Sequence, residues 1–345
     1  MSKQKVLLLG ATGHTGNSIL QGLLRDKASF EVVALIRPSS ADKPDVHKLK
    51  EEFGVKILLV DIINAPVEEL VDALTGIDVF ISAIDALGQL AQLRLVAAAK
   101  QAGVKRFVPC AWITVAPPGG IMKLRDLVSL SFRSPTDSNE YQYHHQKEQV
   151  YQEIWKAHLP YTIIDVGYWH QISFPSLPSG KVDYALSSLR PTAEIHHGGD
   201  TLNMLTDLRD IGNYVALIIK DERTLNRFVC TYSDALSENQ IFEIMEEMSG
   251  EKIVERKAIS ASDILTMRDT ASARIETDPP NWREHMMFIS AEYNYSKYVR
   301  GDNTPEYAKY LGYLDARELY PEFKPISFRN FVTELLDGKI EKPHY

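Results

Sequence analysis

The chain has 345 residues, 44% hydrophobic and 24% charged, with a formal net charge of −8 at pH 7. That length can bury a large core, and interspersed charges of net negative sign argue against nucleic acid as a partner, since phosphate contacts need clustered Lys and Arg. Two cysteines, Cys110 and Cys230, exclude a disulfide scaffold and fit a reducing compartment, and no apolar run approaches membrane-spanning length.

In chain order, Val6 to Leu9 is an apolar tetrad that predicts a buried parallel strand. It ends too soon, at Gly10, for a secretory signal, so a cytoplasmic protein with no membrane partner is expected. Gly10, Gly13 and Gly16 follow at intervals of three, and then Ile19, Leu20, Leu23 and Leu24 take helical spacing. A strand turning into a helix through glycines is how a backbone comes close to a pyrophosphate. The helix presents its first N–H groups and the positive end of its dipole to the anion. Gly10, Ala11, Thr12, Gly13, His14, Thr15 and Gly16 are therefore candidate dinucleotide contacts.

Glu31 to Ile36 predicts the second strand, and Arg37 stands at its end. An acidic residue there would hold the ribose 2′-hydroxyl of NAD, whereas an arginine accommodates the 2′-phosphate of NADP(H). Strands at 54–61, 78–84 and 105–110 alternate with helices at 41–53, 67–74 and 90–102. Strict β-α alternation implies right-handed crossovers, a parallel sheet and a ligand crevice at the carboxyl ends of the strands. From Gly180 onward the pattern becomes α+β, with a helix at 210–219, a strand at 228–231, an amphipathic helix at 238–248 and a last helix at 327–336. The expected fold is α/β: an NAD(P)-binding Rossmann-like, doubly wound parallel sheet over 1–170, with a smaller α+β C-terminal substrate lobe over 171–345. Some segments of that lobe should return to the first domain.

Gly10 to Gly16, Arg37-Pro38, Asp78 to Ala83, Gln92 to Gly103 leading into Lys105 to Pro109, Pro160 to Thr162, Asp210 to Gly212 and Asp221 to Asn226 together resemble a known family. It is the NmrA-like, or isoflavone reductase-like, branch of atypical short-chain dehydrogenase/reductases. That branch includes phenylcoumaran benzylic ether reductase, pinoresinol-lariciresinol reductase and eugenol synthase. The quoted resemblance runs from residue 3 to about residue 265. It implies NADP(H) as cofactor, adds Lys43, Ser82, Ala83 and Lys147 to the dinucleotide set, and makes Lys147 the general acid/base as well.

Lys147 also closes a Tyr143-x-x-x-Lys147 pattern, the one-turn spacing that in conventional relatives pairs a phenol with an ammonium. Residues 127–145 have the composition of an inserted loop, so Tyr143 is a weaker candidate than Lys147. Trp112, Tyr168, Trp169 and Phe174 are candidate substrate contacts, each with a plain core role as the alternative. Cys110 has no partner base, and the adjacent pairs His144, His145 and His196, His197 point apart, so no metal site is expected.

The resemblance thus implies an NADPH-dependent reductase acting on a conjugated, quinone-methide-like or carbonyl aromatic or polyketide-type small molecule. Two other functions fit the same fold: an NADP-binding redox sensor that regulates transcription without catalysis, and a non-redox isomerase or dehydratase. Homodimerisation is left open.

Overall fold

The computed structural model describes residues 3–84, 88–118, 122, 146–187, 193–278 and 281–342. The chain divides into two compact units. The first gathers the described residues up to 112, those of 146–164, and 211–229; the second gathers those of 113–122, 165–210 and 230–342.

In the first unit β1 (Gln4–Leu9), α1 (His14–Arg25), β2 (Phe30–Ile36), α2 (Pro44–Glu51), β3 (Lys56–Leu59), α3 (Val67–Leu74), β4 (Val79–Ser82), α4 (Ala91–Ala102) and β5 (Arg106–Val108) follow one another. The helix α5 (Gln146–Lys156) and the strand β6 (Thr162–Asp165) come next. Strands lie in the order β3-β2-β1-β4-β5 with every adjacent pair parallel, which is the doubly wound Rossmann arrangement. Leu9 pairs with Leu35 on one side and Ser82 on the other, so Gly10, Arg37 and Ala83 leave the sheet side by side. This is the carboxyl edge where such sheets bind ligands.

Alternation along the strands divides the core. Leu7, Leu9, Val33, Leu35, Phe80 and Phe107 pack against Leu70 and Leu74 of α3, Leu95, Val96 and Ala99 of α4, and Val150 and Ile154 of α5. Val6, Leu8, Ala34 and Ile81 are equally buried and, with the period of two, point to the opposite face.

The second unit begins with β7 (Tyr168–Trp169), β8 (Glu194–His196) and β9 (Asn203–Thr206). The chain then returns to the first unit through most of α6 (Leu208–Ile218) and β10 (Arg227–Cys230), which lies beside β6. Buried Arg106 fixes that return, donating to the carbonyls of Ile218 and Asp221 and to the Thr224 hydroxyl at 2.8–3.0 Å. Afterwards come β11 (Asp234–Leu236), α7 (Glu238–Ser249), β12 (Lys257–Ile259), α8 (Ala261–Thr277) and α9 (Trp282–Asn294), with a helix at Phe328–Leu336. Strands β7, β9 and β11 form one small sheet, and β8 and β12 another.

Residues 113–118 and 165–170 cluster with this second unit, because Val115 packs among Met204, Cys230, Tyr232 and Ala308, and Val166 N–H donates to Ile113. The hairpin of α8 and α9 has no counterpart in the sequence pattern. Its buried positions include Glu284, His285 and Glu292, so apolar periodicity is faint there.

Candidate active site

The glycine turn is shaped by two different constraints. Gly10 has φ of 86°, and a Cβ placed on it would lie 2.3 Å from the Ala83 carbonyl oxygen. On Gly16 a Cβ would lie 1.9 Å from the Gly10 carbonyl oxygen, so the third glycine is demanded by strand-to-helix packing. Gly13 is different. Nothing comes nearer than 3.5 Å to its would-be Cβ, and its φ of −78° suits any residue. The protein itself does not require glycine there, which is the condition expected where a ligand's phosphates need the space.

Gly13 caps α1 without offering a side-chain oxygen to the first-turn N–H groups, and no acidic residue stands in that turn. An anion therefore meets backbone donors and a helix dipole with no competing carboxylate. Ser82, at the carboxyl end of β4, is fully buried, and its hydroxyl has no hydrogen-bond partner among the described residues. A buried orphan of this kind calls for a partner supplied from elsewhere. Arg37 and Lys43 are exposed, Arg37 directly after β2 and Lys43 at the head of α2. Glycine turn, orphaned hydroxyl and guanidinium all leave the carboxyl edge of three adjacent strands, and together they fit a phosphorylated dinucleotide.

Lys147 lies in the first turn of α5 and is only 8% exposed. Its ammonium donates to the carbonyls of Cys110 and Ala111, both at 2.8 Å, just past the end of β5. Tyr143 and the whole of 127–145 fall outside the described residues.

Trp112 is buried, with φ of 50°, and its indole N–H donates to the Ser82 carbonyl at 2.8 Å. Its polar edge is thus committed to the fold, and only the ring face remains for other contacts. Cys110 is held in a hydrogen-bonded frame with Gln89 and Gln92. Gln92, which the sequence offers only as the start of a stretch shared with the family, occupies the first position of the stripe Gln92, Leu95, Val96, Ala99, where an apolar residue is the rule.

The remaining aromatic candidates belong to the second unit. Phe174 is buried in that unit's core against Phe331. Tyr168 and Trp169 are half-buried. The Tyr168 ring stands 3.5 Å from the ammonium of Lys297, a 2%-exposed lysine in a π-helical turn that no sequence signal singled out. His170 is fully buried between Asp207 and Asp234 at 3.8 Å from each, and His196 stacks on Tyr298. Among the described residues no group of three His, Cys, Asp or Glu side chains is placed to hold a metal ion, and no helix is long and apolar enough to cross a membrane.

The NmrA-like family model matches residues 2–117, the stretch carrying the glycine turn, Arg37, Ser82 and Cys110. Over 334 residues the chain is 38% identical to an asnovolin J 5′,6′-dehydrogenase of Aspergillus novofumigatus, covering 96% of this chain and 95% of that one. Eugenol synthase 1 of Petunia hybrida is 28% identical, with 96% and 98% covered. Among solved structures, the leucoanthocyanidin reductase–NADPH complex from Vitis vinifera superposes with a TM-score of 0.74 at 21% identity, over 96% of this chain and 99% of that one. The likeness therefore extends well past residue 265, into the helical tail where the quoted motifs end. With near-complete coverage of a relative at 38% identity, and the family model lying over the glycine turn itself, the chain belongs to the NmrA-like, isoflavone reductase-like family of oxidoreductases.

Proposed function

We propose that the protein is an NADP(H)-dependent oxidoreductase that moves a hydride between the dinucleotide and a conjugated or carbonyl-bearing carbon of an aromatic or polyketide-type small molecule. Lys147 is the general acid/base. The observation that carries this reading is the buried Lys147 ammonium on two carbonyls at the end of β5, in the same unit as the glycine turn. A redox sensor needs the dinucleotide site but has no use for a buried amine held ready for proton transfer.

The turn Gly10 to Gly16 would hold the pyrophosphate, Arg37 with Lys43 the 2′-phosphate, and Ser82 with Ala83 the flank of the dinucleotide. When bound, the nicotinamide supplies or accepts the hydride. Lys147 gives a proton to the substrate oxygen or carbon in reduction and takes one in oxidation, while its two carbonyl partners fix where the ammonium stands. Tyr143 remains the alternative proton donor. Tyr168 and Trp169, half-buried in the second unit, and the Trp112 ring face in the first are each proposed as contacts for a flat substrate, whereas Phe174, packed in the core against Phe331, takes the plain core role the sequence also allowed. The names of the relatives, a dehydrogenase at 38% identity and a eugenol synthase at 28%, support chemistry of this class on small organic molecules.

The test follows nicotinamide absorbance with asnovolin J plus NADP+, and with NADPH against a panel of aromatic enones, aldehydes and quinone methides. Turnover is expected with at least one probe. Lys147→Ala should lower it by about 10²- to 10⁴-fold, the range for loss of a general acid/base, with NADPH affinity retained. Tight NADPH binding without turnover across the panel would favour the sensor, and an undiminished rate in Lys147→Ala would remove the lysine from the chemistry.

A further inference from the structure

We propose that Gln92 and Cys110 are positioning residues that hold the Lys147 ammonium in its charged, carbonyl-bound state through a closed ring of hydrogen bonds beneath it. The proposal rests on the assignment of Lys147 as the proton-transfer group. Gln92 is fully buried, and its Oε1 accepts from the Cys110 backbone N–H at 2.8 Å. The Gln92 amide nitrogen donates to Gln89 Oε1 at 3.0 Å, and the Gln89 amide nitrogen donates to Cys110 Sγ at 3.2 Å, which closes the ring. The Cys110 thiol in turn donates to the Ile84 carbonyl at 3.3 Å.

Cys110 is thus gripped at its N–H and its thiol, which leaves its carbonyl aimed at Lys147 at 2.8 Å. The same ring reaches toward the glycine turn. Ile84 follows Ala83, whose carbonyl lies against Gly10, and the Ile84 nitrogen would stand 3.2 Å from a Cβ on Gly10.

The physical case lies in what burial of Gln92 costs. An amide side chain on the apolar stripe of an alanine-rich helix is unfavourable unless its donors and acceptor are satisfied, and a leucine would pack there without that requirement. The position is therefore explained by what the amide holds. The peptide that carries the Cys110 carbonyl is itself held, because the Ala111 N–H donates to the Pro109 carbonyl at 2.9 Å, so with the Cys110 N–H and thiol gripped as well the carbonyl is restricted in turning away from the ammonium. Hydrogen bonds to the charged form raise the pH at which an amine loses its proton, so releasing the carbonyl should lower it.

The test is a titration of the lysine Nζ groups by NMR on the full chain with lysine-selective 13C and 15N labels, the Lys147 signal being assigned by its absence in Lys147→Arg. Gln92→Met, close in volume, is expected to lower the Lys147 midpoint by about one unit, a tenfold larger neutral fraction at a given pH. Cys110→Ala should lower it in the same direction, and Cys110→Ser, which keeps a donor and an acceptor at that place, should restore it. The Lys297 signal, from a buried lysine of the second unit, should not move in any of them. A Lys147 midpoint unchanged in both Gln92→Met and Cys110→Ala overturns the proposal, and so does a shift shared with Lys297, which reports general loosening. If Gln92→Met does not fold, the Cys110 pair decides alone. Turnover surviving in Lys147→Ala would overturn the assignment of the lysine while leaving the ring's effect on its titration measurable.

Discussion

Gly13 and Gly16 look alike in sequence, but packing demands glycine only at Gly16, so substitutions at the two should act differently. Gly16→Ala drives a Cβ into the Gly10 carbonyl and should destabilise the protein by about 1–3 kcal/mol, the usual range for overpacking. Gly13→Ala meets nothing closer than 3.5 Å and should melt at the wild-type temperature, yet lose NADPH affinity about tenfold or more. Thermal melts beside calorimetric titrations check both; equal effects on stability would mean that Gly13, too, serves only the fold. The glycines and Arg37 stood out because their residue types at those places are tied to one chemical task, and Lys147 was singled out by the family resemblance. Gln92 was not, since a glutamine in an alanine-rich helix carries no signal until the Cys110 N–H is seen to end on it. Lys297 escaped for a similar reason: a lysine among tyrosines reads as surface until it is found over the Tyr168 ring.

At the level of elements, strands and helices with one clean apolar face stood out. Helix α7 was read from its amphipathic pattern, and the structure closes it at both ends, with the capping box of Ser237 and Gln240 and with left-handed Gly250. The pair α8 and α9 was not, because α9 buries Glu284, with Arg274 as a partner at 3.1 Å, on the side that faces its neighbour. Close approach of α1 and α6 was hidden as well. Gly22 and Gly212 meet there so tightly that a Cβ on Gly212 would lie 1.8 Å from the Ser18 carbonyl oxygen. Gly212→Ala should therefore cost about 2 kcal/mol or more, read as a lowered urea midpoint with an unchanged slope.

In the second unit, Asp207 at the head of α6 is fully buried and takes three bonds from Arg209, one from its backbone N–H at 2.9 Å and two from its guanidinium at 2.8 and 2.9 Å. Burial alone would raise its carboxyl pKa, but Arg209 and the neighbouring His170 hold it well below the usual carboxylate range. A carboxyl depressed in the folded state adds stability that is fully present above its unfolded value near 3.8 and fades as the pH falls below it. Asp207→Asn should cost about 2 kcal/mol at neutral pH, toward the low end for a buried pair because Arg209 is 42% exposed. The difference in melting temperature from wild type should shrink steadily below about pH 4. A difference that is flat with pH would show that the pair contributes by packing and not by charge.

Over the whole molecule, β-α alternation was enough to read the first unit's parallel sheet, while the strand order β3-β2-β1-β4-β5 comes from the structure. A return of some later segment was expected, but not which one: that it is 211–229 depends on Arg106 reaching carbonyls more than a hundred residues away. The division at 112 and 165 was equally out of reach, because it depends on where Val115 and Val166 find partners and not on local pattern. What the molecule does nonetheless turns on one edge of one sheet. If Gly10 to Gly16 and Arg37 are a dinucleotide site, the unit is built for a 2′-phosphate. The most direct measurement is calorimetry of NADPH and NADH on the wild-type protein and on Arg37→Ala. NADPH should bind at least about tenfold more tightly than NADH, as a charge-assisted guanidinium contact allows, and Arg37→Ala should erase the preference while leaving NADH affinity nearly unchanged. No heat with either nucleotide, or equal affinity for both in the wild type, would contradict it.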